Sequence, residues 1–145
     1  GNNIMNEKIK VIEAALPQPK ALWQHLQQQA LNTKNRQDMA MIYSKEPCKS
    51  AGTFTTNLVK AAPVRWDQDI VYNHPGARAV ICNSGIANAC TGEEGFGYCR
   101  ETAKAASESL GVPEDSVLVA STGVIGMQLP IDRIANGVKS HGTEA

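Results

Sequence analysis

The sequence predicts a mixed α and β fold, and three observations carry that expectation. Short apolar or β-branched runs alternate along the chain with stretches of helical periodicity. Turn residues separate them, most clearly Asn73-His74-Pro75-Gly76 and Gly111 with Pro113. A chain of 145 residues suits a single domain, or part of a larger one, and can bury roughly 70% of its unfolded surface.

The elements follow in order. Gly1 to Ile4, ahead of Met5, read as an expression remnant outside the fold. Loose alternation of Ile9 and Val11 predicts a short strand within residues 5–13. Pro17 and Pro19 break the chain, and Leu22, Leu26 and Ala30, spaced four apart, predict a helix over 21–31. Met39-Ala40-Met41-Ile42-Tyr43 is short enough to favour a strand, with a charged, proline-containing loop (Lys45-Glu46-Pro47) after it. Thr53, Phe54, Thr55, Thr56 and Val59 predict a further strand over 52–59, ended by Pro63, which cannot donate to a ladder.

Residues 77–82 read as a buried strand running into a loop of small residues, 83–92. Glu93 and Glu94 suit the positive end of a helix. Phe96, Cys99, Ala103, Ala106 and Leu110 then make one apolar stripe, stopped by Gly111 at the position after the last turn. Residues 116–120 read as a buried strand that delivers Ser121-Thr122-Gly123. A final helix follows Pro130, with Ile131, Ile134 and Val138 on one face.

Composition excludes several classes of function. Fourteen basic residues balance 14 acidic ones, which argues against a general nucleic-acid binder or a polybasic membrane protein. No apolar run approaches the ~20 residues that span a bilayer. Cys48, Cys82, Cys90 and Cys99 form no C-x-x-C pair and lie far from His25, His74 and His141, so zinc spacing is absent and no metal site is expected. Four reduced thiols in a cytoplasmic protein is the reading they favour.

The most suggestive chemistry lies in Leu118-Val119-Ala120-Ser121-Thr122-Gly123. A strand ending in hydroxyls and a glycine can present donors to the developing charge of a tetrahedral intermediate. The same residues also make an ordinary polar turn, so spacing alone leaves both readings open. Loop 83–92 is rich in donors, but it lacks both G-x-x-x-x-G-K-[ST] and G-x-G-x-x-G. No G-x-S-x-G elbow accompanies the three histidines, and Cys82 and Cys90 read as small packing residues before they read as nucleophiles.

Three segments taken together carry a family resemblance. They are Ala51-Gly52-Thr53-Phe54-Thr55-Thr56-Asn57 through Lys60-Ala61-Ala62-Pro63-Val64, then Ala79-Val80-Ile81-Cys82-Asn83-Ser84-Gly85-Ile86-Ala87-Asn88-Ala89-Cys90-Thr91-Gly92, then 118–126. Their order and separation resemble the N-terminal, α-chain part of the ornithine acetyltransferase (glutamate N-acetyltransferase, ArgJ) family, over residues 35–138. The resemblance implies a cytoplasmic enzyme of arginine biosynthesis that moves an acetyl group from N-acetylornithine to glutamate, some members also using acetyl-CoA as donor. It implies a precursor that cleaves itself, with the new N-terminal threonine of the β chain as nucleophile and an acetyl-threonine intermediate. It implies that Thr122 and Gly123 supply the oxyanion hole, and that no cofactor is needed. It also implies a layered fold completed by the β chain, in an α2β2 heterotetramer.

On that reading the 145 residues are a single incomplete domain. Residues 14–34 do not resemble the glycine-containing opening of the family, and Gly142-Thr143-Glu144-Ala145 does not match its K-G-A junction. The nucleophilic threonine and the later substrate contacts are therefore expected outside this chain. A related self-processing amidohydrolase or aminopeptidase, and a binding module without a β chain, are the rival readings. Use of water or an amine as second acceptor separates the first, and a co-purifying second chain the other.

Overall fold

The computed structural model describes residues 21–26 and 39–142. Within these residues four strands, β1 (Ala21–Leu26), β2 (Met39–Cys48), β3 (Ala77–Ile86) and β4 (Val117–Val124), form one sheet in that spatial order. β2 pairs antiparallel with both β1 and β3, whereas β3 and β4 are parallel. Among the described residues three α-helices accompany the sheet: α1 (Ala62–Asn73), α2 (Gly92–Leu110) and α3 (Ile131–Gly142). A parallel neighbour needs a crossover of a dozen or more residues, and α2 supplies it between β3 and β4. The mixed α/β class expected from the sequence is the class observed.

Strand periodicity sorts the sheet into two faces. Met39, Met41, Tyr43, Ala79, Ile81 and Val117 point into the main core, where they meet Ala103, Ala105 and Ala106 of α2 and Ile134 and Val138 of α3. The small alanines let the helix backbone approach the sheet closely. Val119 joins Ala62 and Cys99 in a second cluster flanked by Trp66 and Phe96. The even-numbered residues face the other way. Ala40, Ile42, Val80, Cys82 and Leu118 are half-buried, and Ser84, Ala120 and Thr122 are exposed.

The helix predicted between Glu93 and Gly111 forms as α2. α2 carries Glu93 and Glu94 in its first turn and ends at Gly111, whose φ of 65° is the left-handed conformation a C-terminal glycine allows. In its predicted stripe Cys99, Ala103 and Ala106 are fully buried. α3 likewise buries the predicted Ile134 and Val138.

Several expectations are corrected. Ala21–Leu26 are a strand, not the first turns of a helix. A spacing of four residues fits one face of a helix and equally one face of a strand, so Leu22 and Leu26 did not discriminate. Pairing with β2, from Ala21 opposite Ser44 to Leu26 opposite Met39, outweighs a weak helix preference. Residues 27–31, and the strand expected in 5–13, lie outside the described residues.

Residues 52–59 form no strand. β-Branched residues favour a pleated, half-buried surface and need a partner strand to express that preference. Here the segment is exposed apart from Phe54, whose ring meets Tyr72 edge-on at 5.5 Å. Pro63 does not close a strand but sits in the first turn of α1, a helix absent from the sequence reading. There its missing N–H has no helical partner to lose. β2 continues through Lys45-Glu46-Pro47 with a register irregularity between Tyr43 and Cys48. Arg78 donates to the carbonyls of Ser44 and Lys45 at that irregularity.

Candidate active site

The parallel pair β3 and β4 brings two loop-forming motifs to one end of the sheet. Asn83, Ser84 and Gly85 stand opposite Ser121, Thr122 and Gly123. Ser121-Thr122-Gly123 therefore belong to the last part of β4 rather than to a turn beyond it, and Asn83 to Ile86 belong to β3 rather than to the predicted loop. Thr122 and Gly123 are both exposed. Thr122 lies on the even-numbered face, the one the two core clusters leave open.

Gly123 cannot be another residue at this place. Its φ is 131°, and a Cβ would stand 2.3 Å from the carbonyl carbon and oxygen of Gly85. The two glycine backbones thus rest directly on each other. The strand ends are closed by Ala87 N–H to Val124 O at 2.9 Å and Gly126 N–H to Ala89 O at 2.8 Å.

Polar side chains brace this end from the covered face. Ser121 Oγ donates to Asn83 Oδ1 at 2.6 Å, and Asn83 Nδ2 donates to Ile86 O at 3.0 Å. In the following loop Asn88 and Cys90 adopt left-handed φ values of 51° and 56°, costly for residues with a Cβ. Asn88 is held there by Gly95 O at 2.8 Å, Thr91 Oγ1 at 2.8 Å and Cys99 Sγ at 3.4 Å, and its carbonyl accepts from Ala62 N–H at 3.2 Å. The polar side chain at the heart of that loop thus turns inward, into structure, rather than outward as a phosphate cradle would require.

α1 guards the outer edge of β4, the last strand of the sheet. Trp66 Nε1 donates to Val117 O at 2.9 Å, and Val119 N–H donates to Asp67 Oδ1 at 2.9 Å. Burial raises the Asp67 carboxyl to about 6, against the opposing effect of the Val119 N–H. Burial, then the nearby Asp67 charge, raises the Cys82 thiol and pushes Cys99 up to about 12. These two thiols are therefore protonated and poor nucleophiles at neutral pH.

His74, Glu93 and Glu94, also weighed from sequence, make their contacts elsewhere. His74 contacts Asp115 at 3.0 Å and Asp69 at 3.6 Å. Glu93 pairs with Arg65 at 3.0 Å on the surface, and Glu94 accepts from Tyr98. An open depression of about 790 Å³ lies over α1, lined by Asn57, Lys60 and Tyr72 among others, and includes no residue of β3 or β4. Among the described residues no three His, Cys, Asp or Glu side chains are grouped as a metal site would need, and no helix is long and apolar enough to cross a membrane. Asn83 as a brace and Asp67 as an edge clamp were not singled out by sequence. Only the Asn at the end of a buried strand offered a signal.

Fold and site define a class: an α/β protein whose paired parallel strand ends carry a Ser-Thr-Gly segment on an open sheet face. Residues 25–145 match the ArgJ family. The chain is 50% identical over 107 residues to the arginine biosynthesis bifunctional protein ArgJ of Thermotoga neapolitana, which covers 73% of this chain and 27% of that protein. Its fold resembles that of ornithine acetyltransferase complexed with ornithine from Mycobacterium tuberculosis, with a TM-score of 0.74 and 38% identity over 86% of this chain and 65% of that one. The arginine biosynthesis bifunctional protein ArgJ of Bacillus halodurans gives a TM-score of 0.72 and 39% identity over 82% of this chain and 60% of that one. The chain belongs to the ArgJ family, and it spans about a quarter of the length of the Thermotoga relative.

Proposed function

We propose that this chain is the α portion of an ornithine acetyltransferase of arginine biosynthesis, moving acetyl from N-acetylornithine to glutamate. Thr122 and Gly123 form its oxyanion hole. The nucleophile is the N-terminal threonine of a β chain released from the same precursor. Its Oγ attacks the acetyl carbonyl, and the resulting oxyanion accepts hydrogen bonds at Thr122 and Gly123. Collapse breaks the C–N bond, leaves an acetyl-threonine ester and releases ornithine, whose amine takes the proton. The amine of glutamate then attacks the ester through a second oxyanion and frees the threonine. No cofactor is required, and acetyl-CoA, where used, enters as an alternative acetyl donor. The setting is the cytoplasm and the assembly an α2β2 heterotetramer.

One observation supports this reading above the others. The Thr122-Gly123 end of β4 stands on the open face of the sheet, beside half-buried Cys82 and Leu118 and exposed Ala120. A second chain covering those residues brings its own groups to Thr122. The test is to express the whole gene product, weigh it intact and assay acetyl transfer. Two co-purifying chains and N-acetylglutamate formed from N-acetylornithine and glutamate are expected. An uncleaved product, or one that only releases acetate to water, contradicts the proposal.

A further inference from the structure

We propose that Asn83 and Ser121 are positioning residues for this reaction, setting the place of Gly123 and Thr122 without touching substrate. The inference rests on the acetyltransferase reading and deepens it.

Thr122, Gly123, Val124 and Ile125 are all exposed, so no packed side chain fixes them within this chain. Oxyanion donors nevertheless have to stand within about 0.5 Å of their working position. Gly123 gets its position from contact with the backbone of Gly85. The place of Gly85 therefore sets the place of Gly123.

Gly85 itself lies in a bend of β3. Its φ is 110°, and Ser84 and Gly85 are exposed between buried Asn83 and buried Ile86. The Asn83 carboxamide spans that bend, donating from Nδ2 to Ile86 O at 3.0 Å, while the Ile86 side chain seats in the main core. A carbonyl can only accept, so this bond fixes the orientation of the carboxamide and turns Oδ1 toward β4. There it accepts from Ser121 Oγ at 2.6 Å, one residue before Thr122. Asn83 is 6% exposed, so solvent cannot replace either bond. One side chain thus ties the bend of β3 to the core and the end of β4 to that bend.

The test uses the whole gene product and four variants: Ser121→Ala, Ser121→Thr, Asn83→Ala and the Ser121→Ala/Asn83→Ala double variant. Displacement of a reacting group by about 1 Å can cost 10²-fold, and a partial loss is expected here. Ser121→Ala should lower kcat about tenfold with KM near wild type, measured where the protein stays folded, because the unpaired Asn83 Oδ1 also lowers the melting temperature by a few degrees. Ser121→Thr, which restores the hydroxyl, should recover most of that kcat. The double variant should be no slower than Asn83→Ala, because the two residues act as one unit. If Asn83→Ala does not fold, the Ser121 pair decides alone. Wild-type kcat in Ser121→Ala, or no recovery in Ser121→Thr, overturns the proposal. Thr122→Ala in the same assay separates the two layers. A slow Thr122→Ala beside a normal Ser121→Ala refutes the positioning role only. A normal Thr122→Ala refutes the oxyanion reading and this proposal with it.

Discussion

The two faces of the sheet are built for different work. On the odd-numbered face Met41, Ile81 and Val117 are at most 1% exposed beneath α2 and α3. On the even-numbered face Cys82 and Leu118 are half-buried, and Ala120 and Thr122 open to solvent. Both faces run along the same strands, so a change of one residue in sequence moves from a buried place that governs stability to a half-buried or exposed one, where the proposed oxyanion hole lies. The strand end follows the same rule: Ser121 braces inward to Asn83 while Thr122 faces out.

Substitutions can break this division. The largest effect is expected for Gly123→Ala, which forces a Cβ against the Gly85 backbone at a φ of 131°. Turnover should fall by more than about 10²-fold, and strain of about 1–3 kcal/mol should appear in denaturant unfolding. A variant with normal turnover would show that the glycine contact does not set the site. Next is Ile134→Ala, 1% exposed in α3 beneath the odd face. Unfolding should lose about 2–5 kcal/mol with kcat little changed at a temperature where the protein is folded. A large kcat loss without destabilisation would erase the distinction between the faces.

The smallest effect concerns Asp67 at the edge of β4. Its carboxyl titrates at about 6 in the folded chain, above the ordinary 3.8, so the folded state binds the proton more tightly. The stability this contributes is complete below about pH 4 and is lost as pH rises through about 6. Asp67→Asn keeps an acceptor for Val119 N–H and removes the charge. It should flatten the stability profile between those values and raise the melting temperature slightly near pH 7.5. An unchanged slope would show that Asp67 is not the group responsible.

What the sequence made legible follows from where its signals were local. The α2 stripe, its Gly111 stop and α3 rest on signals within one element and fold as expected, whereas β4 runs past the predicted 116–120 as far as Val124. Thr122 and Gly123 stood out because three long motifs in register are specific, and the structure places both, exposed, near the end of β4. β1 was misread because Leu22 and Leu26 fit both periods, and only its partner strand decides between them. Residues 52–59 were misread for the converse reason, since their threonines have strand preference and no strand to pair with. Pro63 signalled a boundary correctly, but whether it ends a strand or begins a helix depends on Trp66 and Asp67 reaching β4 more than 50 residues later. Asn83 is a contact between motifs, which no single motif displays.

The central claim is that the open end of β4 stabilises an oxyanion, and Thr122→Ala in the whole gene product tests it most directly. Thr122 is exposed and forms no part of either core cluster, so melting temperature should be unchanged. Turnover of N-acetylornithine and glutamate should fall about 10²–10³-fold with loss of the donor. Wild-type turnover in that variant would contradict the account.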